Sequence, residues 1–270
     1  MKFISLLFVI ALSLVLPTAH AVASDVENKT LAEMQQLANN GNVDAQLALG
    51  DMYYDGDGIE EDYAQAKTWY MKAAGQGNAY AQLMLGDMYY NGDGVEKDYA
   101  QAKAWYTKSA EQGSADAQYE LGTMYFDEKE FAKAISWFKK SADQGIPDAH
   151  FDLAVMYLNG VGTPVNARTA FTHFKNAAEQ NMQKAQFMTS AMYADGIGVK
   201  KNDSQAYFWF SVFNRNEKDL EWGSIPDIQK ATQMHEKRIQ EIEKNMSQSE
   251  LQESKRLQDK FIKKQHNNNQ

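Results

Sequence analysis

Apolar and small residues return along this chain at a fixed period. Ala45-Gln46, Ala81-Gln82, Ala117-Gln118, Ala149-His150 and Ala185-Gln186 each open a copy of one pattern, at steps of 36, 36, 32 and 36 residues. Within each copy Met-Tyr follows at a constant offset: Met52-Tyr53, Met88-Tyr89, Met124-Tyr125, Met156-Tyr157 and Met192-Tyr193. Further on come Ala66, Ala102, Ala134, Ala170 and Ala206, then the pairs Trp69-Tyr70, Trp105-Tyr106, Trp137-Phe138, His173-Phe174 and Trp209-Phe210. Self-similarity at this period marks an array of supersecondary units.

Each copy converts to two helices. Ala45, Leu49, Met52 and Tyr53 form one stripe of a helix. Asp55-Gly56-Asp57-Gly58 and its equivalents at 91–94, 159–162 and 195–198 supply glycines that end a helix and reverse the chain. Asp62, Asp98, Asn166 and Asn202 stand where a second helix starts, as N-cap residues. That helix carries the alanine and the aromatic pair and stops near Gly77, Gly113 and Gly145. Small residues such as Ala45, Gly50 and Ala66 allow close approach, and Trp69 and Tyr70 fill the space between hairpins. A lone hairpin cannot bury both faces of its aromatics, so each copy needs the next. The expected fold is all-α: a right-handed α-solenoid superhelix of five helix-turn-helix units with no single central core.

The string Ala-Gln…Leu-Gly-x-Met-Tyr…Gly-x-Gly…Ala…Trp-Tyr-x-Lys-Ala-Ala…Gln-Gly, between residues 43 and 77, resembles the Sel1-like repeat, a relative of the tetratricopeptide repeat. Further copies start near 79, 115, 147 and 183, so the array spans 25–214 with a capping helix over 30–40. The third copy departs: Asp127-Glu128-Lys129-Glu130 replaces Gly-x-Gly, and the unit is four residues shorter. The fourth has His173 where Trp is expected. Residues 215–270 form a helical C-terminal cap and tail. Ser224-Ile-Pro-Asp227 and Ser247-Gln-Ser-Glu250 read as capping boxes, and Gln265 to Gln270 as disordered.

The first residues read as an export signal. Lys2 precedes an apolar run from Phe3 to Leu16, Pro17 breaks it, and cleavage fits after Ala21 or after Ala23. The run is 14 residues, short of the roughly 20 that span a bilayer. With no cysteine, an exported chain must fold on packing alone and cannot be a lipid-anchored lipoprotein. The expected location is the periplasm or the medium, without stable membrane insertion. Ser24 to Asn214 holds 15 basic against 26 acidic residues, while Arg215 to the end holds 11 against 10. Such a field repels nucleic acid and favours basic partners.

Motifs for chemistry are sparse. Ser136-Trp-Phe-Lys139 matches Ser-x-x-Lys, but no Ser-Asp-Asn or Lys-Thr-Gly accompanies it. From Asp55 the loop has Ile59 and Glu60 where a calcium loop needs Asp and Gly. His150, His173, His235 and His266 offer no pair at metal-ligand spacing on one helix. No enzyme activity, cofactor or metal is expected.

The stripe of the first helices facing away from the packing surface lies at offsets +2, +6 and +9 from the repeat alanine. From it Asp51, Tyr54, Asp87, Tyr90, Tyr119, Phe126 and Phe151 are taken as the partner-binding concave face. The resemblance implies a monomeric protein–protein interaction scaffold in the bacterial envelope, with a basic or envelope-associated partner. It also allows a periplasmic immunity protein that neutralises a toxin or lytic enzyme. A cell-wall or β-lactamase-like enzyme is the reading from another class.

Overall fold

The structure is a computed structural model that describes residues 30–215 and 226–268. The leader with its two cleavage sites, and the helix start expected at Ser224, lie outside the described residues. Among those residues there are 13 α-helices and no strand. They are α1 (Leu31–Asn39), α2 (Val43–Asp55), α3 (Tyr63–Gly75), α4 (Ala79–Asn91), α5 (Tyr99–Glu111), α6 (Ala115–Asp127), α7 (Phe131–Asp143), α8 (Pro147–Asn159), α9 (Ala167–Glu179), α10 (Gln183–Asp195), α11 (Asp203–Arg215), α12 (Pro226–Asn245) and α13 (Gln248–Asn268). The all-α solenoid class holds. The described residues divide into two compact units, one ending at Ser141 and the other beginning at Ala142.

Local chemistry sets the helix ends. Asp62 accepts bonds from the backbone N–H of Ala64 and Gln65, and Asp98 from Ala100 and Gln101. Asn166 and Asn202 do the same for Thr169 and Gln205. First helices α2, α4, α8 and α10 each stop at a left-handed glycine, Gly56, Gly92, Gly160 and Gly196. In the third copy, which lacks that glycine, Lys129 takes the left-handed conformation at φ 63°. Asn181, at φ 70°, fills the place of Gly77, Gly113 and Gly145.

In the first unit, adjacent hairpins share their cores. One cluster joins Leu47 of α2, Ala66, Tyr70 and Ala73 of α3, and Ala81, Leu85 and Met88 of α4. The next joins Leu83 of α4, Ala102 and Tyr106 of α5, and Ala117 and Leu121 of α6. Neither cluster closes within one hairpin, as a nearest-neighbour array requires. The second aromatic fits because its partner is glycine: a Cβ on Gly50 would stand 2.5 Å from the Tyr70 ring, and one on Gly86 2.4 Å from Tyr106. The repeat glutamine fastens each hairpin to the one before. Gln46 and Gln82 donate from Nε2 to the carbonyls of Ala38 and Ala74, and Gln76 and Gln112 then donate to their Oε1 atoms at 2.8 and 2.7 Å.

In the second unit α8 packs on α9, α9 on α10 and α10 on α11, and both α12 and α13 contact α11. Ile239 and Ile242 of α12 are buried, and Phe261 of α13 meets Phe208 and Trp209 edge-on. Ser247 and Glu250 close a reciprocal capping box at the start of α13. The expected disorder is corrected for 265–268 alone, the rest lying outside the described residues: α13 runs to Asn268, and Gln265 donates to the Glu179 carbonyl at 2.7 Å.

Candidate functional site

Six of the seven predicted partner-binding residues lie in the first unit, on α2, α4 and α6. Asp51 sits against two tyrosine hydroxyls: Tyr70 donates to it at 2.7 Å and Tyr80 at 3.2 Å. Asp87 accepts from Tyr106 at 2.7 Å, one repeat later. Tyr54 donates to Asp93 at 2.8 Å and lies edge-on to Tyr63. Tyr90 lies edge-on to Tyr99, and Phe126 to Phe131. Tyr119 meets Phe138 at 5.6 Å between centroids. All six are half-buried. The seventh, Phe151, belongs to the second unit and is buried against Phe174, so it presents no surface to a partner.

The tyrosines that complete these contacts are not among the residues expected on the binding face, although the sequence carries a signal for them. Tyr70 and Tyr106 occur where the facing first-helix position is Asp51 or Asp87. Where the ring is Phe138, Phe174 or Phe210, that position is Thr123, Val155 or Ala191. A buried phenol needs an acceptor and a phenyl ring does not, which accounts for the pairing.

The electrostatics are unusual for a surface acid. Burial pushes the Asp51 carboxyl up to about 6, against the lowering effect of its tyrosine hydrogen bonds and with Asp55 nearby. Burial pushes Asp87 up to about 7, again opposed by its tyrosine bond and reinforced by Asp116 and Asp93. Tyr70, Tyr80 and Tyr106 are pushed upward by burial and by these same acids, so their hydroxyls remain donors. Neither acid appears in an ion pair among the described residues. Tyr80, bonded to Asp51, and Tyr99, edge-on to Tyr90, are 43% and 56% exposed. Charge follows the same division: residues 30–141 carry 18 acids and 9 bases, whereas 142–270 carry 16 of each.

Ser136 and Lys139 are both exposed on α7. A serine–histidine contact does exist elsewhere, since Ser190 Oγ lies 2.8 Å from His235 Nε2. Ser190 gives its proton to the Ala206 carbonyl at 2.7 Å, and both side chains are buried. His235 therefore donates, burial and Arg238 hold it down to about 4, and the pair is a packing device. No group of three or more His, Cys, Asp or Glu side chains arranged to hold a metal occurs among the described residues. No described helix is long and apolar enough to cross a membrane.

The Sel1 repeat profile matches residues 43–78, 79–114, 115–146, 147–182 and 183–211. Among solved structures, the chain is similar to a protective antigen of uropathogenic Escherichia coli strains displaying an SLR fold, at 34% identity and TM-score 0.71 over 86% of this chain. It spans 48% of that protein's length. It is also similar to a Sel1 repeat protein from Oxalobacter formigenes, at 29% identity and TM-score 0.64 over 74% of this chain and 85% of the other. No curated protein matches the sequence.

Proposed function

The chain belongs to the Sel1 repeat family, whose members are in general non-catalytic protein-interaction scaffolds, and from that premise we propose that it is an exported scaffold that binds a basic protein segment. The binding surface is the half-buried face of the first unit formed by Asp51, Tyr54, Asp87, Tyr90, Tyr119 and Phe126. One observation carries this reading: Asp51 and Asp87 are desolvated, hydrogen-bonded to tyrosines and in no ion pair among the described residues. A lysine or arginine from a partner supplies the missing charge, and the aromatic rings take up its aliphatic stem or its cationic head. Export rests on the N-terminal sequence, Lys2 and the apolar run that ends at Pro17.

The test is affinity capture from envelope extract with the full chain, beside Asp51→Asn and Asp87→Asn. Asparagine keeps an acceptor for the tyrosine hydroxyl and removes the charge. Capture of a basic protein that weakens about tenfold or more in the double variant supports the reading, on the scale of one desolvated charge pair. A lytic toxin as the captured protein makes the scaffold an immunity protein. Undiminished capture by the double variant, or turnover of a wall or β-lactam substrate by the purified chain, overturns it.

A further inference from the structure

The acidic face of the first unit is built of rungs, and the rungs are not alike. Asp51 and Tyr54 stand on α2, Asp87 and Tyr90 in the same two places on α4, and Thr123 and Phe126 on α6. Leu47 of α2 shares one core with Leu85 of α4, and Leu83 of α4 shares another with Leu121 of α6. Successive first helices therefore stand side by side at packing distance, about 8–10 Å apart. Two acidic rungs are followed, at one more such step, by an apolar one.

Each rung is narrow and walled by tyrosine. Its two residues lie three apart on their helix, about 4.5 Å along the axis. Tyr80, from the start of α4, bonds Asp51 at 3.2 Å, and Tyr63, from the start of α3, meets Tyr54 edge-on. Tyr99 repeats the second contact on Tyr90. The rungs of α2 and α4 also lie in the last turns of those helices, whose carbonyl ends favour a cation. Neither acid is in an ion pair among the described residues. The Tyr90 hydroxyl makes no hydrogen bond among those residues. Its sister Tyr54 donates to Asp93, but Lys129 holds the matching place in the shortened third turn.

We propose that this strip takes a partner segment in the polyproline II conformation, with two basic residues three apart and an apolar residue three further on, one to each rung. The inference rests on the basic-segment reading and adds the conformation and spacing of that segment. A polyproline II chain returns to the same face every three residues, about 9 Å along its axis, which is the step from rung to rung. A β-strand puts residues three apart on opposite faces, and an α-helix with its side chains is about 10–12 Å across, too broad for a strip walled at both ends. Tyrosine-lined grooves suit this chain because its preformed shape loses little freedom on docking and its carbonyls remain open to donors. Tyr90 is placed to be such a donor, and Phe126 and Tyr119 meet the apolar residue.

The test is a nuclear magnetic resonance titration of the full chain with end-blocked peptides. Arg-Pro-Pro-Arg-Pro-Pro-Leu should shift the ring signals of Tyr54 and Tyr90 and bind about tenfold or more tighter than an isomer with its arginines adjacent, since the isomer forfeits one cation contact. The preference should vanish in Asp51→Asn combined with Asp87→Asn. Thr123→Asp with Phe138→Tyr, the pair of the first two repeats, should move the preference at the seventh position from leucine to arginine. Equal binding of the isomers, or tighter binding of an alanine-rich helical peptide with arginines seven apart, overturns the conformation and spacing. If the asparagine variant weakens that binding too, the basic-segment reading itself stands. Binding by no peptide, or binding that the asparagine variant leaves undiminished, overturns both.

Discussion

The hydroxyls of Tyr70 and Tyr106 explain two acids that a surface-minded reading assigns to binding alone. Asp51 and Asp87 satisfy buried phenols, and the same burial raises their titration into the neutral range. The structural role predicts a coupling. Tyr106→Phe alone strands a half-buried carboxylate and should cost about 1–3 kcal/mol. Tyr106→Phe with Asp87→Thr, the pair of the third repeat, should recover most of that loss in urea denaturation. Additive losses would contradict the pairing. This contact was legible in the alternation of Tyr with Asp and Phe with Thr, Val or Ala, because one chemical need fixes both partners. The contact of His150 with His173, Nδ1 to Nδ1 at 2.9 Å, was not, since its residues come from separate helices and no sister repeat offers a precedent.

At the scale of the helices, the chain marked its own breaks where glycine, Asp or Asn occupies a cap. Those residues act on the nearest turn, so local chemistry is enough to place them. The third repeat shows where that stops: its turn has no glycine, yet the chain still reverses by forcing Lys129 into the left-handed region. Lys129→Gly removes a penalty of roughly 1 kcal/mol, partly offset by the greater freedom of glycine when unfolded. A modest rise in the urea midpoint with an unchanged slope is expected. The C-terminal helix α13 was harder to read because its final turns are polar throughout. They are ordered by a contact with a distant helix, Gln265 on the Glu179 carbonyl, which periodicity cannot reveal.

Over the whole molecule the two units respond to acid in opposite directions at their principal titrating groups. Asp51 and Asp87 of the first unit have native values above the ordinary 3.8, so the fold binds their protons more tightly than the unfolded chain. Their stabilising effect is full below about pH 4 and is lost as pH rises through 6 to 7. His235 of the second unit is held at about 4 against an ordinary 6.5, so the unfolded chain takes its proton first. Its contribution is present above pH 6.5 and is lost as pH falls toward 4, by roughly 3 kcal/mol in full. Asp148 of the second unit, raised by burial, offsets part of that loss. Hydrogen exchange referenced to intrinsic rates should therefore show protection of α2–α5 increasing between pH 7.5 and 5 while that of α10–α12 declines. Parallel changes in both units would contradict this assignment.

The same two acids give the most direct test of the binding proposal. Carbon-13 titration of the Asp51 and Asp87 side-chain carboxyls, with and without a lysine-rich peptide at low ionic strength, reads the proposed contact at its own atoms. A cation seated against them should pull both titrations from about 6 and about 7 back toward the ordinary carboxylate range, with protons released on binding. Titrations that stay in place while the peptide is bound would show that the partner's charge goes elsewhere.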